Sequence, residues 1–294
     1  MKILTLGGSS FSGRAFIAEA RRAGHQVEDL SHPNWDMNTN LPARAVEMVL
    51  SGCVNVVDFI ALNVVAASWD KAPEYYRTNV VGVARLADAL LATRLVEKFL
   101  QISTPEVYGA TGTRLKEGAA FNPSTPYALS RATADMHLML LHQQHRFPVM
   151  FTRTVNVYGP GQQPYRIIPR TIGCIIKGER LPLEGGGIST RSFIHIEDAA
   201  GAYLRILESG NIGEGYHIAT ERQVSIRDLV ALICERMGAS LNDVVQIAPE
   251  RRGKDMNYQL DDSKIRRALG WSDRIALEDG VQQVINAFLH AEVA

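Results

Sequence analysis

Tyr127 and Arg131 lie four apart in Ser124-Thr-Pro-Tyr-Ala-Leu-Ser-Arg131. Ser124, Thr125 and Pro126 are helix-start residues, with Pro126 suited to the first turn, so Tyr127 and Arg131 share one helix face. A phenol beside a fixed cation is a proton-transfer device, because the positive charge favours phenolate and lowers a pKa of roughly 10 toward neutrality. Upstream, the apolar run 99–102 reads as a buried strand, and Ser103, Thr104 and Glu106 follow at its carboxyl end. In an open parallel α/β sheet that end is where ligands bind.

A second constellation opens the chain. Lys2 to Leu6 reads as a strand, Gly7-Gly8-Ser9-Ser10-Phe11-Ser12-Gly13 as a tight turn, Arg14 to Ala23 as a helix and residues 24–30 as the run into a second strand. In such a βαβ unit small residues let the backbone approach a pyrophosphate, and the helix N-terminus supplies N–H groups and a positive dipole end. Gly7, Ser10, Phe11 and Gly13 are the expected cofactor contacts, Ser10 standing where a middle glycine is usual. An acid at the end of the second strand would hold the ribose 2′-hydroxyl. The aligned residues are Ser31 and His32; Asp29 comes early, and Asp36 follows a short connection, toward the adenine end. A Ser-His pair also suits a 2′-phosphate, so the reading is NAD with NADP left open.

These residues need a scaffold, and the rest of the pattern supplies one. Residues 54–62 fit a central strand buried on both faces, 73–94 read as one long helix containing Asn79, 127–145 as another, and 149–153 as the next strand. Strands alternating with helices predict an α/β fold of the Rossmann type, a doubly wound parallel sheet. The expected division is a dinucleotide-binding domain over 1–155 and a smaller, interleaved α/β substrate domain over 156–294, with the chain returning to the first around 190–215. Ser225 is the predicted N-cap of a later helix.

Composition narrows the class. Of 294 residues, 46% are hydrophobic and 21% charged, and Lys+Arg equals Asp+Glu at 31 each, so no global field recruits nucleic acid or a membrane surface. No apolar run is long enough to span a bilayer. The start runs straight into a strand without signal-peptide architecture, and Cys53, Cys174 and Cys234 read as reduced thiols; a cytoplasmic protein is expected. His142 and His145 read as a solvated helix face, and no metal site is predicted.

Taken together and in order, Ile102-Ser-Thr-Pro-Glu-Val-Tyr-Gly109, Ser124–Arg131, Asn156-Val-Tyr-Gly-Pro160, Arg191-Ser-Phe-Ile-His-Ile-Glu-Asp198, Arg251-Arg-Gly-Lys-Asp255 and residues 262–271 resemble the extended short-chain dehydrogenase/reductase family. These are the NAD-dependent nucleotide-sugar epimerases and dehydratases, and the likeness is nearest to the dTDP-glucose 4,6-dehydratase-like enzymes. The resemblance makes Thr104 the hydroxyl on the sugar C4 oxygen, Tyr127 the base that takes its proton and Glu106 the base for C5. Ala61 and Asn79 join the cofactor contacts. Asn156, Arg166, Arg191 and Arg251 become the residues for the nucleoside diphosphate, whose base stays open. Two positions depart from the family. Arg131 replaces its lysine, supplying the charge through a longer planar fork, and also counts as a cofactor contact. Pro105 replaces the aspartic acid that protonates the leaving C6 hydroxyl in dehydratases.

The resemblance implies 4,6-dehydration through a C4 ketone. A 4-epimerase, a uronate decarboxylase and a 4-ketosugar reductase are the alternatives, and a non-catalytic NAD(P) or nucleotide-sugar sensor is the alternative of another class. It also implies a homodimer. Apolar residues in excess of one stripe, among them Val81, Val83, Leu86 and Leu90 on one helix and Met136, Leu138, Leu140 and Leu141 on another, would pair across a two-fold axis.

Overall fold

The computed structural model describes residues 1–110, 113–249 and 259–293. The first half alternates as read. β1 (Lys2–Leu6), α1 (Phe11–Arg22), β2 (Gln26–Leu30), α2 (Leu41–Leu50) and β3 (Asn55–Asp58) are followed by α3 (Val65–Asp70), α4 (Ala72–Tyr76), a π-helical segment Arg77–Gly82 and α5 (Val83–Thr93). Then come β4 (Lys98–Ser103), the short β5 (Arg114–Leu115), α6 (Pro126–His145) and β6 (Val149–Thr154). The second half holds β7 (Asn156–Tyr158), α7 (Ile167–Lys177), β8 (Leu181–Glu184), β9 (Thr190–Arg191), β10 (Phe193–His195), α8 (Ile196–Ser209) and β11 (Gly215–Ile218). After these lie β12 (Val224–Ser225), α9 (Ile226–Arg236), α10 (Leu241–Val244), β13 (Val245–Ala248), β14 (Gln259–Leu260), α11 (Ser263–Leu269) and α12 (Leu277–Val293).

Six strands form one sheet in the order β11-β6-β4-β3-β1-β2, and every neighbouring pair is parallel. The chain starts in the interior of this sheet, moves outward to β2 and returns across β1 to β3. The strand order therefore reverses between β1 and β3, and the crevice beyond their carboxyl ends is the ligand position of such a sheet. β3 is buried on both faces, as a strand covered by helices on each side must be. One face is covered by α1 and α8, which pack on each other with Phe16, Ala20, Tyr203 and Leu204 in their core. The other is covered by α2, α5 and α6 through Leu41, Ala45, Leu86, Leu90 and Leu138.

Three expectations are corrected. The 54–62 strand ends at Asp58, because the Asp58 carboxylate accepts the Ile60 N–H at 2.9 Å and turns the chain. The 73–94 helix is continuous in direction but widens into a π turn over Arg77–Gly82, with Asn79 wholly buried inside it. Several of the apolar residues assigned to a partner face are core: Val83, Leu86, Leu90, Leu138 and Leu141 are buried, Val80, Leu91 and Met139 are half-buried, and Val81, Met136 and Leu140 are exposed.

The second half is built from short ladders: β7 with β10, β9 with β12, β8 with β13 and β5 with β14. Helices α7, α9 and α12 close around Tyr158, Ile172, Phe193 and Leu229. Ser225 does cap α9, its hydroxyl accepting the Asp228 N–H at 3.0 Å. Among the described residues no helix is long and apolar enough to cross a membrane.

Candidate active site

The crevice between β1 and β3 is lined by the glycine turn. Gly7 has φ +77°, a conformation that favours glycine, and a Cβ there would sit 2.9 Å from Ile60 Cγ1. A Cβ on Gly13 would lie 2.7 Å from the Gly7 carbonyl oxygen. Ser10 explains why the middle glycine is dispensable: it is the N-cap of α1, its hydroxyl accepting the Gly13 N–H at 3.1 Å. Phe11 is the first residue of α1 and is buried beneath the turn. A close-packed backbone turn leading into a twelve-residue helix at the topological switch point fits the pyrophosphate of a dinucleotide.

The β2 end differs from the sequence reading. Asp29 faces the turn: its Oδ1 accepts the Gly8 N–H at 2.8 Å and its Oδ2 accepts the Ser31 hydroxyl at 2.7 Å. Ser31 in turn accepts the Ser9 N–H at 2.9 Å. A carboxylate therefore does stand at this end of the sheet, two residues before the aligned position, with Ser31 as its extension. His32 is exposed. Asp36 closes its own loop, its carboxylate accepting the Asn38 N–H at 2.6 Å.

At the β3 end Ala61 is half-buried, and Asn79 braces the loop after it. The Asn79 side chain accepts the Leu62 N–H at 2.9 Å and donates to the Leu62 carbonyl at 3.0 Å.

The β4 end brings the reactive groups together. Thr104 caps the turn Pro105–Tyr108, its hydroxyl oxygen accepting the Glu106 N–H at 3.3 Å. Pro105 is buried at the first position of that turn, where its missing N–H costs nothing. Tyr127 enters on α6, whose N-cap Thr125 accepts the Ala128 N–H at 3.1 Å. The Tyr127 phenol is buried against the Tyr75 ring, edge to face at 6.3 Å, with the Thr104 side chain close enough to act on its hydroxyl. Burial pushes its pKa up to about 12; Arg131 pulls it down, Glu106 pushes it up, and the Thr104 side chain and Arg166 pull it down. Thr104, Glu106, Arg131 and Arg166 thus all act on one hydroxyl.

Arg131 is 1% exposed. It turns into the sheet rather than outward, its Nη2 donating to the Ile102 carbonyl at 2.7 Å and its Nη1 to the Ile60 carbonyl at 3.4 Å. Asp58 and Gln101, wholly buried beside it, were not legible as site residues. Burial raises the Asp58 pKa to about 6, against the Ile60 N–H, the Arg131 charge and Gln101, which lower it.

Of the expected phosphate residues, Asn156, Arg166 and Arg191 lie among the described residues of the second half. Arg166 is the N-cap residue of α7, with its guanidinium 5.4 Å from the Tyr165 ring centroid. Arg191 is half-buried and donates to the Thr190 carbonyl at 2.7 Å. Asn156 donates to the Ser192 carbonyl at 3.3 Å and so ties β7 to the strand beside it. Arg251 and its motif lie outside the described residues.

Residues 40–284 match the family described as GDP-mannose 4,6 dehydratase. The chain belongs to this family. Over 97% of its length it is 32% identical to a dTDP-glucose 4,6-dehydratase of Streptomyces niveus, covering 92% of that protein. It is 35% identical to a low-salt glycan biosynthesis protein of Haloferax volcanii, over 98% of this chain and 99% of the other. A solved dTDP-glucose 4,6-dehydratase of Streptomyces venezuelae, with NAD bound, superposes at a TM-score of 0.91 and 27% identity, over 100% of this chain and 98% of that one. The protein is therefore a nucleotide-sugar 4,6-dehydratase-like enzyme of the extended short-chain dehydrogenase/reductase class.

Proposed function

We propose that the protein is an NAD-dependent nucleotide-sugar 4,6-dehydratase whose chemistry passes through a C4 ketone. The observation that carries this reading is the convergence of Thr104, Glu106 and Arg131 on the buried Tyr127 hydroxyl. NAD held in the Gly7–Gly13 cradle supplies the hydride acceptor and donor. Gly7, Ser10, Phe11, Gly13, Ser31, Ala61 and Asn79 are the residues proposed to hold it, with Asp29 beneath the adenosine ribose.

Thr104 holds the C4 oxygen, and Tyr127 takes the C4 hydroxyl proton. The Arg131 charge offsets the burial that keeps the phenol high. A ketone at C4 acidifies the C5 hydrogen, and Glu106 removes it. With Pro105 in place of a second acid, Glu106 returns that proton to the departing C6 hydroxyl: the C5–H and C6–O bonds break, a C5–C6 double bond forms, and water leaves. The hydride taken from C4 is then returned to C6 and a solvent-derived proton is delivered to C5 through Glu106, which gives the saturated 4-keto-6-deoxy product. Arg166, Arg191, Asn156 and Arg251 are proposed for the diphosphate, the guanidinium forks suiting its paired oxygens.

Pro105 also favours a second reading, 4-epimerisation, which needs Thr104, Tyr127 and the cofactor but no acid at C6. Turnover of nucleoside diphosphate glucoses in deuterated water separates the two. Dehydration yields a 4-keto-6-deoxy product with deuterium at C5; epimerisation yields a galactose-type product with none.

The residues up to 155 are proposed as the cofactor half and 156–294 as the nucleotide-sugar half. A cytoplasmic homodimer joined through α6 completes the proposal; it rests on the outward apolar residues Leu129, Met136 and Leu140.

A further inference from the structure

Arg131 carries its charge into the interior, and a partner awaits it that the proposed reaction does not use. β3 and β4 pair so that Asp58 and Gln101 stand opposite one another. With its amide oriented by its neighbours, Gln101 donates to Asp58 Oδ2 at 3.3 Å and accepts from Arg131 Nη2 at 2.7 Å. Asp58 Oδ1 accepts the Ile60 N–H at 2.9 Å, and Arg131 reaches the Ile60 carbonyl at 3.4 Å from the other side. Carboxylate and guanidinium are two ends of one chain of contacts through β3, β4 and α6, and that chain crosses β4 three residues before Thr104.

We propose that Asp58, acting through Gln101, is a positioning residue that pins the Arg131 guanidinium at the carboxyl end of the sheet and offsets its charge toward Tyr127. An isolated guanidinium in such an interior is costly to desolvate, and backbone carbonyls alone supply dipoles rather than a countercharge. Asp58 supplies the countercharge. Its carboxyl is driven toward the neutral form by burial and titrates near pH 6. Above that point Tyr127 faces a compensated pair, and below it a bare cation. Arg131 is the charged side chain that acts on Asp58. Tyr127 itself is faced by Arg131 from its own helix, by Thr104 and Glu106 from the β4 turn and by Arg166 from the start of α7.

The consequence for turnover rests on the dehydratase reading; the coupling of Asp58 to Arg131 does not. Isotope-edited infrared titration of the protein as purified reads the Asp58 carboxyl, with the band assigned by its loss in Asp58→Asn or, should that variant not fold, by its displacement in Asp58→Glu. Gln101→Leu and Arg131→Met should each raise the Asp58 midpoint by roughly one unit or more. With NAD and a nucleoside diphosphate glucose, the rate of nicotinamide reduction in the wild type should show an inflection near pH 6 that Asp58→Asn removes and Asp58→Glu keeps. An Asp58 midpoint unmoved by both Gln101→Leu and Arg131→Met overturns the proposal. So does a pH profile of Asp58→Asn that overlays the wild type, since a merely structural carboxylate would leave the profile in place. If no nucleotide sugar reduces the cofactor while the carboxyl midpoints shift as stated, the dehydratase reading falls and the positioning of Arg131 by Asp58 is supported.

Discussion

The Asn79 amide donates to the Ser130 hydroxyl at 3.0 Å, and Ser130 donates to the Tyr127 carbonyl at 2.7 Å. Through Leu62, Asn79 also holds the loop that follows β3. One buried side chain thus joins the proposed cofactor crevice to the first turn of the helix that carries Tyr127, and the π turn is what carries it inward between the two.

Asn79→Ala leaves the Leu62 peptide groups and the Ser130 hydroxyl short of a partner in a dry environment. The expected loss is about 2 kcal/mol of stability, read as a lower urea midpoint with an unchanged slope. An unchanged midpoint would mean that the loop finds other partners without cost.

A second expectation concerns the choice of dinucleotide. The Asp29 carboxylate, bonded to the Gly8 N–H and to Ser31 at the carboxyl end of β2, is the group proposed to stand beneath the adenosine ribose, where the 2′-phosphate of NADP would meet a negative charge. Asp29→Asn keeps a side-chain acceptor for the Gly8 N–H and removes the charge. Calorimetry of the variant should show NADP binding improved about tenfold relative to NAD, an effect of roughly 1.4 kcal/mol. Equal preference in variant and wild type would remove Asp29 from cofactor selection.

Asp29 also marks where reading the sequence runs out. Local chemistry was legible: Thr125 and Pro126 start α6, Ser225 caps α9, and the glycine turn follows β1. Each depends on neighbours within a few residues. Asp29 falls two residues short of the aligned position, and counting positions does not show that its side chain crosses to Gly8 on a different element. Asp58 and Gln101 were illegible for the same reason: they meet only through the β3–β4 register. Apolar excess on a helix likewise does not say which stripe faces the sheet; Leu138 and Leu141 went inward while Met136 and Leu140 did not.

Acid should act on the fold through His217. It is wholly buried, with Tyr108 2.8 Å from its Nε2, and burial first, then the Arg153 charge, lower its pKa from 6.5 to about 3. The unfolded chain therefore binds the proton that the fold refuses. This contribution to stability is complete above about pH 6.5 and is lost as pH falls toward 3, on the order of 5 kcal/mol in all. Urea midpoints measured across that window should fall steeply in the wild type and less steeply in His217→Gln, which packs a neutral amide in the same place. Parallel curves would assign the acid sensitivity to other groups.

The last expectation tests the proposed pairing of two chains. Leu129, Thr133, Met136 and Leu140 are all exposed on α6, at spacings of four, three and four, which puts them on one outward stripe. Met136 is 63% exposed, and an apolar stripe of this length on a helix whose other face is already packed is a surface that a second helix can cover. A two-fold axis would set α6 against its own copy, each stripe serving as the partner of the other. Because these side chains touch little of their own chain, Met136→Glu and Leu140→Glu together should leave the melting curve of the monomer close to that of the wild type while placing like charges opposite one another across the axis. Sedimentation at tens of micromolar protein should give a dimer for the wild type and a monomer for the double variant. A wild type that is monomeric at that concentration rejects the pairing, and a double variant that remains dimeric moves the interface away from α6.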